Sequence, residues 1–197
     1  MTKTSFASVA RRAKVALTVT AGAAAAVLLF AGFTTPTPMG WELAAELEIA
    51  KLPVCYALGT DAIGRGDLQA GKDTYANCFT SDAELAVYFP GTPFDGPPSA
   101  TSVGTNAWAD FVSGVFTTNG YTSTQHLMGS FNVNVVDQDE ATMTSYLHAT
   151  HVLANGTIDV ANGTYEDEVV FQNGAWKIKR RTLKLITFLN LGTPTTP

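Results

Sequence analysis

Ala141-Thr142-Met143-Thr144-Ser145-Tyr146-Leu147-His148-Ala149-Thr150-His151-Val152-Leu153 alternates with a period of two. Met143, Ser145, Leu147, Ala149, His151 and Leu153 share one face of such a strand, and Thr142, Thr144, Tyr146, His148 and Thr150 share the other. The first face is the more apolar, so it is expected to point inward while the threonine face meets water, the pattern of an antiparallel sheet covered on one side. Residues 123–136, 164–172 and 175–191 have the same Thr/Val/Tyr-rich alternation. Asn155-Gly156, Asn162-Gly163 and Asn173-Gly174 predict tight hairpin turns, and Gly129-Ser130 predicts a bulge.

The preceding half reads differently. Leu43, Leu47, Ala50, Val54 and Leu58 recur at helical spacing over residues 41–64, with Pro53 expected to kink that helix or begin a new one. Asp67 is the expected N-cap of a second helix running to about Phe79. After a turn at Thr80-Ser81-Asp82, residues 84–89 read as a strand, residues 90–98 as a Pro/Gly-rich loop, and residues 106–116 as a third helix. Helices first and a meander afterwards predict an α+β fold, a curved antiparallel sheet wrapped around N-terminal helices and enclosing a pocket.

The chain has 197 residues, 46% of them hydrophobic, enough for one core of ordinary size. Four of its 12 cations (Lys3, Arg11, Arg12 and Lys14) precede Pro36, whereas all 17 acids follow it. A globular part this acidic is a poor nucleic-acid binder. Its one basic run, Lys177-Ile178-Lys179-Arg180-Arg181, alternates within an expected strand and reads as a solvated face. Cys55 and Cys78 form no zinc-type motif; they are expected as buried thiols, or as a pair if the domain is exported. Residues 15–33 are free of charge and follow a basic flank, which predicts an apolar N-terminal helix serving as membrane anchor or export signal. The expected organisation is a signal or anchor segment with its linker over residues 1–38 and the α+β domain over residues 39–197. The domain would then be membrane-anchored or exported, or cytoplasmic if translation starts at Met39.

All three histidines fall in the central strands. Parity places His151 inside and His148 outside, and His126, alternating with Met128, is expected inside on the neighbouring strand. Two inward imidazoles near an acid can move protons near neutral pH. The competing expectation is that each is a hydrogen-bonded residue of the core or rim.

Thr124-Gln125-His126-Leu127-Met128-Gly129 resembles a segment of scytalone dehydratase, and His151 follows His126 at the separation of that enzyme's second catalytic histidine. Tyr56-Ala57-Leu58-Gly59-Thr60-Asp61 with Arg65-Gly66-Asp67, then Phe79-Thr80-Ser81-Asp82-Ala83, resemble the opening segments of SnoaL-like proteins. Gly163-Thr164-Tyr165-Glu166-Asp167 and Asn173-Gly174-Ala175-Trp176-Lys177-Ile178 resemble their closing ones. The resemblance, to the nuclear-transport-factor-two-like superfamily, implies a cone-shaped α+β barrel with a pocket. It also implies lyase or isomerase chemistry of the dehydratase or ketosteroid-isomerase kind, without metal or cofactor. Asp61, Tyr88, His126 and His151 would be the catalytic residues. Asp61 matches only if Ala62-Ile63-Gly64 is an insertion, since otherwise Gly64 takes the acid's place. Thr60 stands where the dehydratase has a second tyrosine.

Two functional expectations follow. One is a lyase or isomerase using general acid–base chemistry on a small apolar carbonyl compound. The other is a non-catalytic module at the membrane that binds a small apolar or aromatic ligand. Trp108, Phe111, Met128, Leu153, Tyr165 and Asp167 are the expected pocket lining. Two histidines and Asp61 also suit several divalent ions, although the resemblance implies metal-free chemistry. Such folds commonly dimerise through the open sheet face, which makes a homodimer an expected assembly.

Overall fold

A computed structural model describes residues 38–192. The apolar run at residues 15–33 lies outside the described residues. Among these, no helix is long and apolar enough to cross a membrane.

Helix α1 spans Pro38–Ile49 and α2 Leu52–Gly64, with Pro53 in the first turn of α2, where its missing N–H has no helical partner to lose. Helix α3, Leu68–Cys78, is capped by Asp67, whose carboxylate accepts the Ala70 N–H at 3.0 Å. Strand β1 (Phe79–Tyr88) and the short β2 (Ala100–Val103) lead to α4 (Thr105–Asn119). Four long strands complete the domain: β3 (Tyr121–Val135), β4 (Glu140–Leu153), β5 (Ile158–Gln172) and β6 (Ala175–Asn190). They form one curved sheet in the order β2-β1-β6-β5-β4-β3. Every pairing is antiparallel except β1 with β6, so the sheet is mixed rather than wholly antiparallel.

Strand β4 follows its sequence pattern: Met143, Ser145, Leu147, Ala149 and His151 are buried, and Tyr146 and His148 are exposed. The Gly129-Ser130 bulge is present as a register shift between Gly129 and Asn132, with Ser130 at φ 52°. Asn162-Gly163 is not a turn. It lies inside β5, where a side chain at Gly163 would meet the Lys184 carbonyl oxygen at 2.6 Å. Glycine is required there by backbone approach, not by turn geometry. Thr80-Ser81-Asp82 likewise belongs to β1, across a register shift that ends at Glu84.

The helical apolar stripe faces outward: Leu43 is 57% exposed and Leu58 61% exposed, and Leu47 and Val54 are exposed beside them. The core is built instead from Ile49, Leu52, Tyr56 and Ile63 of α1 and α2, Tyr75 and Cys78 of α3, Trp108 and Val112 of α4, and the inner sheet face. Cys55 and Cys78 are joined by a disulfide, so the free-thiol expectation is replaced by a link between α2 and α3.

In the basic run Lys179 and Arg180 are exposed as expected, but Arg181 is not. Arg181 is only 1% exposed and makes a bidentate ion pair with Asp167: Nε and Nη2 donate to the two carboxylate oxygens at 2.7 Å each. Its guanidinium lies 4.5 Å from the Tyr56 ring centre and 4.4 Å from that of Tyr165. Burial works against its charge, but Asp167 more than compensates and raises the guanidinium pKa further. Asp167 is therefore a structural anchor rather than pocket lining.

Removing one partner of a buried pair strands the other charge. Asp167→Ala is expected to lower the unfolding free energy by about 3–5 kcal/mol. The double replacement Asp167→Leu with Arg181→Met is expected to lower it less than Asp167→Ala alone. Urea denaturation of the three proteins checks this.

Candidate active site

Helix α2 lies against β3 because Gly64 has no side chain: a Cβ there would collide with the Thr124 hydroxyl and methyl groups. The close approach places Asp61, one turn earlier on α2, over Thr124 and His126. The Asp61 carboxylate accepts three hydrogen bonds, from Thr124 Oγ1 at 3.0 Å, the His126 backbone N–H at 3.2 Å and His126 Nδ1 at 2.7 Å. Of the two candidate positions, Asp61 reaches the His126 ring and Gly64 only permits the close approach of the helix. Burial pushes the Asp61 pKa up, but the hydrogen bonds and charge of His126, with Thr124, hold it below the usual carboxylate value. An ionised Asp61 requires a proton on His126 Nδ1, which leaves the Nε2 lone pair of the neutral ring free to act as a base.

His126 and His151 meet edge to face, with ring centres 5.5 Å apart. They border one cavity with Tyr56, Thr60, Trp108, Phe116, Tyr165 and Phe188, and most of its wall is apolar. About 80 Å³ is open to the centres of water-sized molecules. His151 is 3% exposed and sits among aromatic rings: Tyr121 at 4.8 Å, Phe116 at 5.5 Å and Phe188 at 5.5 Å. Its Nδ1 has no hydrogen-bond partner among the described residues. Burial first, then the neighbouring His126, lowers its pKa to about 4 against the opposing pull of Asp159 and Asp61. Two identical side chains thus have different surroundings, one in contact with a carboxylate and one among aromatic rings that keep it neutral.

Trp108, Phe111 and Tyr165 line this cavity as expected. Tyr88 does not: its hydroxyl donates to the Gly96 carbonyl at 3.1 Å and its ring meets Phe94 edge-on. Its neighbour Val87 lines the cavity, so alternation along β1 turns Tyr88 to the other face of the sheet. Met128 and Leu153 are only partly buried and stand outside the lining, although both lie on inward-facing strand positions. Tyr56 and Thr60, one turn apart on α2, are lining residues that were not expected in this role. Their helical spacing with Asp61 was visible, but the outward leucine stripe dominated the pattern. Among the described residues, no group of three or more His, Cys, Asp or Glu side chains is arranged to hold a metal ion.

A SnoaL-like domain family model matches residues 41–182. The fold is similar to that of a putative scytalone dehydratase from Novosphingobium aromaticivorans, at 20% identity and a TM-score of 0.61 over 80% of this chain and 97% of that one. It is also similar to a hexachlorocyclohexane dehydrochlorinase from Novosphingobium barchaimii, at 19% identity and a TM-score of 0.62 over 80% and 98% of the two chains. A putative aromatic ring hydroxylase from Novosphingobium aromaticivorans shares 24% identity over 75% of this chain and 94% of its own, with a TM-score of 0.58. No curated protein matches the chain.

The buried neutral imidazole makes stability depend on pH. The folded chain resists protonating His151 until about pH 4, whereas the unfolded chain takes up that proton near pH 6.5. The unfolded state therefore binds more protons between these limits, and stability falls as the pH drops through them. The full loss is expected to be about 3 kcal/mol. His151→Phe keeps an aromatic ring and removes the titration, so its urea midpoint is expected to vary less than that of the parent between pH 6.5 and 4.

Proposed function

Because this chain belongs to the SnoaL-like family, we propose that it is a lyase or isomerase that moves a proton on a small apolar carbonyl compound by general acid–base chemistry. The observation that carries the reading is the Asp61–His126 pair, held at 2.7 Å and opening onto a largely apolar cavity. His126 Nε2 removes a proton from the carbon next to the carbonyl, and that C–H electron pair moves towards the carbonyl oxygen. Asp61 keeps the ring oriented through Nδ1–H and stabilises the imidazolium that forms. In an isomerisation the imidazolium returns the proton to another carbon. In a dehydration it protonates a departing β-hydroxyl as the C–O bond breaks, and water leaves. His151 stays neutral and offers a hydrogen-bonding partner without competing for the proton. The aromatic and aliphatic lining favours an aromatic or alicyclic substrate.

Exchange of α-hydrogens tests the base without knowledge of the natural substrate. The protein is expected to speed deuterium uptake by 2-tetralone in heavy water, followed by proton NMR. His126→Asn is expected to reduce the rate to the uncatalysed level, and Asp61→Asn to reduce it by about a hundredfold or more. Binding of 2-tetralone without exchange would leave the non-catalytic binding module as the better reading.

Export or membrane anchoring of the domain is a separate proposal, supported by the Cys55–Cys78 disulfide and by the charge-free residues 15–33 after a basic flank. In the full chain taken from its native cells and denatured, a maleimide reagent is expected to label neither cysteine until reductant is added. Labelling of both without reductant would place the domain in a reducing compartment.

A further inference from the structure

The cavity that holds the two histidines adjoins a second depression, between helix α4 and the ends of β1 and β6. Phe89, Phe111, Val115 and Phe188 border both, so one apolar surface runs from the imidazoles to the outside. The outer depression is the larger, with about 600 Å³ open to the centres of water-sized molecules. Phe89 and Phe188 stand at its edge, each 38% exposed, and Phe188 also packs against the His151 ring at 5.5 Å. Among the described residues, no charged side chain lines this outer part. Its polar members, Thr118 and Asn119, lie in the last turn of α4, where the Asn119 amide already donates to the Val115 carbonyl at 2.8 Å.

Helix α4 forms the floor of this groove. Phe111, Gly114, Val115 and Thr118 recur at helical spacing and share one face, while Trp108, Val112 and Phe116 are buried. Gly114 runs against helical preference, since glycine in a helix interior costs stability relative to alanine. Neighbouring atoms do not require it. A Cβ at Gly114 would meet nothing within 4 Å, whereas one at Gly59, Gly64 or Gly71 would collide with an adjoining side chain. Nor does the backbone require it, because Gly114 has no positive φ. What the missing side chain does is leave the middle of the groove floor bare.

We propose that the substrate carries an unbranched aliphatic tail, which leaves the inner cavity between Phe89 and Phe188 and lies across Gly114 along α4. This rests on the proton-transfer reading above and names the substrate class: a carbonyl head at His126, extended on its far side by an alkyl chain. A groove without charge, with polar groups only at its outer end, offers nothing to orient a polar extension. Each methylene laid in it, by contrast, leaves water. The tail is slim because it must pass out of an inner cavity in which only about 80 Å³ is open to the centres of water-sized molecules. Phe111 to Thr118 covers about 10 Å at the helical rise, which is the reach of an octyl chain.

2-Tetralones bearing an n-alkyl chain at C6 are the probes, with dissociation constants measured by titration calorimetry on the full-length protein. Lengthening the chain from ethyl to octyl is expected to lower Kd about twofold per methylene, the gain for half-burial, and roughly sixtyfold in all. Gly114→Leu places a side chain on the groove floor and is expected to cut that gain by about tenfold. Thr117→Leu adds the same side chain to α4 outside the lining and is expected to keep the parent's gain. Thr118→Phe closes the outer end, and the gain is expected to stop before octyl is reached. Near-UV circular dichroism reports whether each variant is folded; if Gly114→Leu is not, the two threonine variants still decide the matter.

An octyl probe that binds no more tightly than the ethyl one would overturn the proposal. So would a full gain in Gly114→Leu, or an equal loss in Thr117→Leu. If the parent sediments as a dimer and Gly114→Leu as a monomer, with no chain-length gain in either, the groove seats a second copy of the chain and the tail is excluded. Deuterium uptake separates this inference from the proton-transfer reading. His126→Asn is expected to keep the chain-length gain while losing exchange of 6-octyl-2-tetralone. Exchange by the parent without a gain removes the tail and leaves the base assignment in place; a gain without exchange does the reverse.

Discussion

The Arg181–Asp167 pair is a fully buried charge within a sheet whose inner face is otherwise mostly apolar, and the rest of the core is arranged around that fact. A lone guanidinium could not be buried there, because its desolvation would far exceed any packing gain. Asp167 answers its charge across the β5–β6 register, while Tyr56 and Tyr165 cover its two faces. The pair therefore fixes where α2 can lie: Tyr56 belongs to α2 and must sit flat on a group that belongs to β6. Once Tyr56 is seated, helical geometry carries Thr60 and Asp61 to the β3 side one turn later.

Helix α2 is held there at three points of different chemistry. The disulfide ties Cys55 to the end of α3, Tyr56 stacks on Arg181, and the bare surface of Gly64 lets the last turn close onto Thr124. Cys55 and Tyr56 hold adjacent sides of one turn and Gly64 holds the last turn, so together they fix both the position and the rotation of the helix. Asp61 accepts three donors from β3 only within a narrow range of that rotation. The precision of the carboxylate–imidazole contact comes from rigid elements on both sides and does not depend on a loop.

The sheet was legible because one-sided burial imprints a period of two. The parity of β4 separated His151 from His148 correctly, and the fold followed from the meander and from the resemblance of short motifs. The misread features share a cause. Leu43 and Leu47 of α1 and Val54 and Leu58 of α2 read as one regular apolar stripe, yet all four face outward, those of α2 because it turns a tyrosine, a threonine and an aspartate inward to meet polar partners. Arg181 read as a surface charge because its partner, 14 positions earlier, is adjacent only after β5 and β6 pair. Asn162-Gly163 resembled a turn, but the glycine answers to a neighbouring backbone. Tyr88 matched a motif position, yet its strand leads the ring towards Phe94. In each case a polar or backbone contact between distant segments decided the outcome, and local pattern holds no record of such contacts.

The division of labour between the two histidines follows from the same architecture. His126 receives a carboxylate because β3 is the strand that α2 touches. His151, one strand further along the sheet, is walled mainly by the rings of Phe116, Tyr121 and Phe188. A side chain that titrates near neutrality in water is therefore placed in a polar niche and an apolar one 5.5 Å apart. Protonating either ring makes the other harder to protonate, since two imidazolium ions at that separation repel in a medium of low polarity. Only the ring next to Asp61 touches a carboxylate directly, whereas Asp159 and Asp61 act on His151 without outweighing its burial. The ring kept neutral is thus the one walled by other rings, and the one in contact with a carboxylate is the ring whose second nitrogen is left free to face the cavity.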